Sequence, residues 1–274
     1  MAASDVTSDA QLNQPAAPAT EGFQPEPEDD AATGGTMSLV EHLEELRKRL
    51  MISAIAIVVC TIVAFFFWEP VLRLLLTPLP SVTPHLVGVD AQQKLVQKDI
   101  GEAFVVALKL SLAVGLTVAM PVVLYQVWAF IAPALTRRER KYALPFTVLG
   151  VGLFAIGITV GFFVLRYPVE WLIGFGSQNF VLLLDAGSYF SFVAFFLLAF
   201  GIVFELPLVI TFMGMVGILN SRILREKRMY ILFGLWVLSC FITPGADPYS
   251  PVIIGVSFTA LFELSIVLLR ILKK

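Results

Sequence analysis

Five carboxylates stand where an acid has to be accounted for. Glu45 and Glu139 lie among arginines in two charged segments, Glu205 and Glu263 fall inside long apolar runs, and Asp247 sits in the turn T-P-G-A-D. A carboxylate at a surface can take a guanidinium in a two-pronged, charge-assisted bond, and two carboxylates can take two adjacent arginines. That is the chemistry of recognition. Bond-making chemistry lacks its minimal parts: the two histidines, His42 and His85, are far apart, and there is no G-x-S-x-G, glycine-rich phosphate loop or H-E-x-x-H. Cys60 and Cys240 lie in apolar segments without metal-ligating company and read as small buried side chains. The expectation is a protein that is not an enzyme, with no cofactor, no metal and no nucleic-acid partner.

The elements that must position these acids belong in a bilayer. Of 274 residues 58% are hydrophobic and 15% charged, with a mean hydropathy of +0.85, whereas soluble domains run nearer half apolar and a quarter charged. The net charge of -2 is misleading, because residues 1–36 hold seven acids and no Lys or Arg. That stretch of Ala, Pro, Gln and acid has too little apolar surface to offset ordering, so it reads as a disordered tail ahead of a membrane domain at 37–274. It lacks the basic start and apolar run of a secretory signal, so no cleavage is expected.

Ser38 and Glu41 have the spacing of a helix capping box, and Glu44 with Lys48 and Glu45 with Arg49 are i,i+4 pairs, so an interfacial helix begins here. Leu39, Leu43, Leu46 and Leu50 give it one apolar face. Six apolar spans then follow at about 50–68, 103–131, 144–165, 188–219, 229–242 and 252–269, to be set against the ~20 residues a crossing needs. The second and fourth are overlong and carry Pro121 and Pro207, which should bend them. The last two are short, so that pair either stops before the far side or thins the bilayer beside it. An amphipathic piece at Val71–Leu76 is expected to lie along the surface, with loops on either side of it and over 166–185. Gly150, Gly152, Gly157 and Gly161 in the third span offer a close helix contact.

Orientation follows from charge. Fourteen of the 19 Lys and Arg fall in the segments around Arg47, Arg137, Arg222 and Arg270, and only Arg73, Lys94, Lys98 and Arg166 fall in the loops on the other side. The bias predicts an all-α membrane protein of six transmembrane helices with both termini cytoplasmic.

Four stretches carry a resemblance: H-L-E-E-L-R-K-R-L at 42–50, L-Y-Q-V-W-A-F-I-A-P-A-L-T-R-R-E-R-K at 124–141, F-E-L-P at 204–207 and T-P-G-A-D at 243–247. In this order the chain resembles the TatC family, the polytopic component of the twin-arginine protein translocase, over roughly residues 38–270. The resemblance implies a signal-peptide receptor and core subunit in the bacterial inner membrane that exports folded proteins using the proton-motive force. It implies assembly with single-span TatA-like and TatB-like subunits in a larger complex that also holds further copies of this chain. Glu45 and Glu139 would receive the arginine pair, with Phe130 and Arg137 shaping that site, and Glu205, Pro78, Thr243 and Asp247 would dock partners. Plainer readings stand beside these: Glu45 neutralised by Arg49, Glu139 balancing a basic loop, Phe130 as an interfacial aromatic, Pro78 as a turn proline and Glu205 bonded to Lys109 or a hydroxyl. The alternative function is a secondary transporter with Glu205, Glu263 and Lys109 as an ion or proton path.

Overall fold

A backbone immersed in lipid must satisfy its own N–H and C=O groups, which leaves helices or a closed barrel, and apolar runs as long as these suit helices. The computed structural model describes residues 39–79, 95–131, 143–175, 184–243 and 247–271. Apart from one isolated β-bridge, every regular element among them is a helix. The acidic tail expected at 1–36 lies outside the described residues, as do Ser38, Arg137 and Glu139.

Helix α1, Leu39–Phe65, merges the interfacial helix and the first span into one 27-residue rod. Arg47, Lys48 and Arg49 are good helix formers, so nothing interrupts it where the membrane was expected to begin. Helix α2, Trp68–Leu76, is the amphipathic piece and buries Leu75. Helix α3, Glu102–Ile131, holds Pro121 inside its 30 residues, and α4 spans Ala143–Val164. The expected loop after it begins instead with a helix, α5, Arg166–Gly174, separated from α4 only by a turn at Leu165.

The fourth span divides at Glu205 into α6, Ala186–Phe204, and α7, Leu206–Met215. Pro207 stands at the start of α7, where a missing N–H costs little, so the break falls ahead of the proline. Helix α8, Ser221–Glu226, occupies part of the expected basic loop, capped by Asn220. Helices α9, Arg228–Ile242, and α10, Tyr249–Ile271, complete the chain. The expectation that both last spans are short holds for α9 alone. Helix α10 has 23 residues, because Pro251 lies in its first turn and does not delay its start. Among the described residues five helical stretches are thus long and apolar enough to cross a membrane, and Arg228–Ile242 is a shorter apolar helix.

Helix α6 is the centre of the packing. Phe190, Val193, Phe196 and Phe200 are almost fully buried, in one cluster with Val106 and Leu110 of α3, Val169 of α5, and Ile254 and Phe258 of α10. Glycines permit the closest crossings: a β-carbon at Gly157 would meet the Phe200 carbonyl at 2.7 Å, and one at Gly115 would come within 2.6 Å of Thr61 Cα. Gly150 and Gly161 are likewise crowded, whereas Gly152 faces open space, so three of the four glycines expected at contacts serve there.

Ring contacts and tight approaches define two ends. His42 stacks on Phe130, Trp128 packs on Phe146 and Phe212, and Gly214 abuts Leu269. The starts of α1 and α4 therefore share an end with the finishes of α3, α7 and α10. At the opposite end Val96 pairs with Asp185, Tyr189 donates to the Leu75 carbonyl at 2.8 Å, and Trp171 lies 5.6 Å from Tyr249.

Candidate functional site

At the His42 end the antiparallel contact of α1 with α3 builds a polar cluster at the edge of the apolar zone. The Glu45–Arg49 pair forms as the i,i+4 spacing predicts, with Arg49 Nη2 donating to Glu45 Oε1 at 3.1 Å. Glu44 and Lys48, the neighbouring pair, make no ion pair among the described residues. Arg49 Nη1 crosses to α3 and donates to Gln126 Oε1 at 3.0 Å. One turn further, His42 and Phe130 stack with centroids 4.5 Å apart and planes 22° apart. Among the described residues Glu45 Oε2 and Arg49 Nε are buried without a hydrogen-bond partner. One carboxylate oxygen is thus held by Arg49, and the other is open to a further donor.

The second notable acid is Glu205. It sits in the turn between α6 and α7, 8% exposed, and neither carboxylate oxygen has a hydrogen-bond partner among the described residues. Its backbone is busy: the carbonyl accepts from Leu208 and Val209 at 3.0 Å each. The side chain reaches α4, where a β-carbon at Gly150 would come 3.1 Å from Oε2 and 3.0 Å from Leu208 Cδ2. The expected partner is elsewhere: Lys109 Nζ donates to Ser191 Oγ at 2.9 Å. Trp128 Nε1 and Thr211 Oγ1 are also buried without a hydrogen-bond partner among the described residues, so α3 and α7 carry unanswered polar groups besides the acid.

The remaining sequence-predicted residues have local duties. Pro78 is buried just after α2. Thr243 Oγ1 donates to the Ser239 carbonyl at 2.7 Å, closing the end of α9. Asp247, 4% exposed, caps α10 by accepting from Ser250 N at 2.6 Å and Ser250 Oγ at 2.9 Å. Glu263 forms an ion pair with Arg228 at 2.8 Å, without hydrogen-bond alignment. Lys109 bonds Ser191, Glu263 pairs with Arg228 and the Glu205 carboxylate has no polar partner, so among the described residues no contact joins the three into a path.

The root of each loop at the Asp185 end is fastened to the other. Val96 N donates to the Leu184 carbonyl at 3.0 Å, and Ala186 N donates to that of Val96 at 3.1 Å. Glu102 accepts from Lys98 N and Gly187 N, both at 2.6 Å, and Lys98 Nζ lies 3.3 Å from Asp185 Oδ1. The Ser188 hydroxyl bonded to the Asp185 carboxylate, helped by the Ser188 N–H, Lys98 and Glu102 and opposed by burial, lowers its pKa from 3.8 to about 2.

Residues 41–256 match the family model described as TatC, Sec-independent protein translocase protein. The chain belongs to the TatC family. The Sec-independent protein translocase protein TatC of Carboxydothermus hydrogenoformans is 35% identical over 238 residues, covering 86% of this chain and 94% of that protein. The protein of the same name from Escherichia coli K12 is 34% identical over 233 residues, 84% of this chain and 87% of its own length. A crystal structure titled as the twin arginine translocase receptor TatC superposes with a TM-score of 0.70 at 32% identity, over 85% of this chain and all of that one. This TatC-family chain is therefore a multi-pass membrane protein of protein transport, a Sec-independent translocase subunit.

Of the residues expected to receive peptide in this TatC-family chain, the structure brings Glu45 and Phe130 to one end, through Arg49–Gln126 and His42–Phe130. Gln126 and His42 escaped sequence reasoning. Their signals were present: Gln126 is the single amide in the apolar run 103–131, and His42 opens the charged motif at 42–50.

Proposed function

We propose that this chain is the signal-peptide receptor and core of a twin-arginine translocase, exporting folded proteins from the cytoplasm with the proton-motive force. The observation that carries the reading is the half-used carboxylate of Glu45: Arg49 holds Oε1, and Oε2 is buried without a partner among the described residues. A guanidinium entering there would gain a charge-assisted bond and relieve an unsatisfied acceptor together. Glu139, in T-R-R-E-R-K at 136–141, supplies the second acid for the second arginine. Arg137 and Phe130 shape that site, and Phe130 with His42 gives the peptide an apolar flank.

The His42 end is then cytoplasmic, in the bacterial inner membrane, with α9 as the sixth crossing and both termini on that side, as the distribution of Lys and Arg supports. Glu205 serves as a polar docking point for the single helix of a TatA-like or TatB-like partner, because an unpartnered acid among buried residues gains from a polar group brought by another helix. Pro78, Thr243 and Asp247 shape docking surfaces at the opposite end, through the segments they hold. Photo-crosslinking of the purified protein to peptides bearing Arg-Arg or Lys-Lys tests the reading: selective capture of Arg-Arg at α1 and α3 is expected. Equal capture of both would leave only a basic-peptide surface.

A further inference from the structure

The highest concentration of arginine among the described residues is far in sequence from the peptide site. A cavity of about 780 Å³ opens between α8 and the adjoining ends of α9 and α10. Arg222, Arg225, Arg228 and Arg270 line it with two acids, Glu226 and Glu263. Both acids are already engaged: Arg222 Nε donates to Glu226 Oε1 at 2.8 Å, and Arg228 lies 2.8 Å from Glu263. Arg225 and Arg270 have no ion-pair partner among the described residues and are both exposed. Four arginines against two glutamates leave two positive charges in one recess, a composition that selects an anion with more than one oxygen to share.

What the anion is attached to follows from the neighbouring surface. Arg228 is the first residue of α9, and Met229 and Phe233 in the first two turns are 81% and 72% exposed. On α10, Leu264, Val267 and Ile271 recur at three and four residues beside Arg270 and are also exposed. The floor of the recess is apolar, with Ile266 in its lining and Leu224 and Leu269 buried in the same cluster. A ligand matching this surface is charged at one end and greasy along its length. Basic recesses between helix ends at a membrane surface suit phospholipid headgroups, and the cavity lies in the size range of small-molecule sites.

We infer that this recess binds the phosphodiester headgroup of an anionic phospholipid, with Arg225 and Arg270 on the phosphate oxygens and the acyl chains along the exposed apolar residues of α9 and α10. The site is separate from the Glu45 cluster, and nothing in it depends on peptide recognition. Substituting Arg225 or Arg270 removes no ion pair, so the fold should persist.

Native mass spectrometry of the full chain in detergent, offered equal amounts of dioleoylphosphatidylglycerol and dioleoylphosphatidylcholine, reads the preference directly. At roughly fivefold per arginine near an anionic group, wild type should favour phosphatidylglycerol about twenty-five-fold, and R225Q/R270Q should bring the ratio close to one. R270Q alone should fall between them, which keeps the test decisive if the double variant is poorly folded. A wild-type ratio near one, or a ratio unchanged in both variants, overturns the proposal. So does thermal stabilisation by inorganic phosphate equal to that by phosphatidylglycerol, which would assign the site to a soluble anion. Displacement of the lipid by a synthetic peptide of the acidic residues 1–36 at equimolar concentration would assign it to the tail instead.

Discussion

Arg49 reaches across from α1 to α3 and donates to Gln126 at 3.0 Å while its other terminal nitrogen holds Glu45. Gln126 is 7% exposed, so its amide fixes where the guanidinium can stand. Gln126→Leu should let Arg49 swing onto both Glu45 oxygens and compete with an incoming arginine. Twin-arginine peptide affinity should fall several-fold, with Glu45 unchanged in sequence. Fluorescence titration with a labelled peptide checks this, and wild-type affinity in Gln126→Leu would show that Arg49 needs no tether.

Glu45→Gln and Glu139→Gln each keep size and remove charge. A hydrogen bond to a charged group is worth roughly 1.5–3 kcal/mol, so each should cost at least about tenfold in peptide affinity. Because Arg49 loses its ion pair in Glu45→Gln, a small drop in melting temperature should accompany that variant. Unaltered binding in both, at normal protein levels, would return the two acids to the plain role of balancing nearby arginines.

The Glu205 carboxylate has no hydrogen-bond partner among the described residues, so Glu205→Ala removes no side-chain contact of that kind. The variant should fold, melt no lower than wild type and still bind peptide, yet lose export and crosslinking of partner helices to α6 and α7. Persistent crosslinking with a lowered melting temperature would mark the acid as an internal brace. Gly150→Ala, which crowds Oε2 at 3.1 Å, should weaken the same crosslinks to a lesser degree.

The Asp185 carboxyl, held at about pKa 2 against an ordinary 3.8, binds its proton less readily folded than unfolded. Its stabilisation is therefore present above about pH 4 and is lost as pH falls toward 2. Asp185→Asn should melt below wild type at pH 6, and the gap should narrow as acid is added. A gap independent of pH between 6 and 3 would mean that the Ser188 cap matters only for shape.

Single cysteines test the sidedness. Those at Asp99 and Tyr249 should react with an impermeant thiol reagent added outside the cell, and those at Thr136 and Ser221 should not. Tyr249 is exposed, whereas nearby Asp247 is buried and caps α10. External labelling at Thr136 would invert the topology.

The long apolar runs and an interruption near Pro207 were readable in the sequence because each has a one-dimensional cause: an uncharged apolar stretch, or a residue without an N–H. The missed helices had weaker signals. Helix α5 mixes Arg166, Glu170 and Trp171 and follows α4 without a spacer, and α8 announces itself only by Asn220 accepting from Ile223 N. The span expected at 252–269 starts after Pro251, whereas α10 starts at Tyr249, because a proline is tolerated in a first turn. Which residues meet across helices was not readable at all. Helices α3 and α4 are apolar on every side, so no periodicity says that Gln126 faces Arg49 or that Lys109 turns to Ser191. The Glu45–Arg49 pair was legible because it lies within one helix.

The 15 residues of α9 reach only about 22 Å at 1.5 Å per residue, against a hydrocarbon core of ~30 Å. Were α9 the sixth crossing proposed above, with the bilayer thinned to its length, the membrane voltage beside it would fall over about three quarters of the usual distance. The local electric field would then be steeper by about a third, while the total work per charge, ~2.3 kcal/mol per 100 mV, would be unchanged. Charged groups within a few ångströms of α9 would thus feel a change in membrane potential more sharply than the same groups beside α3 or α6.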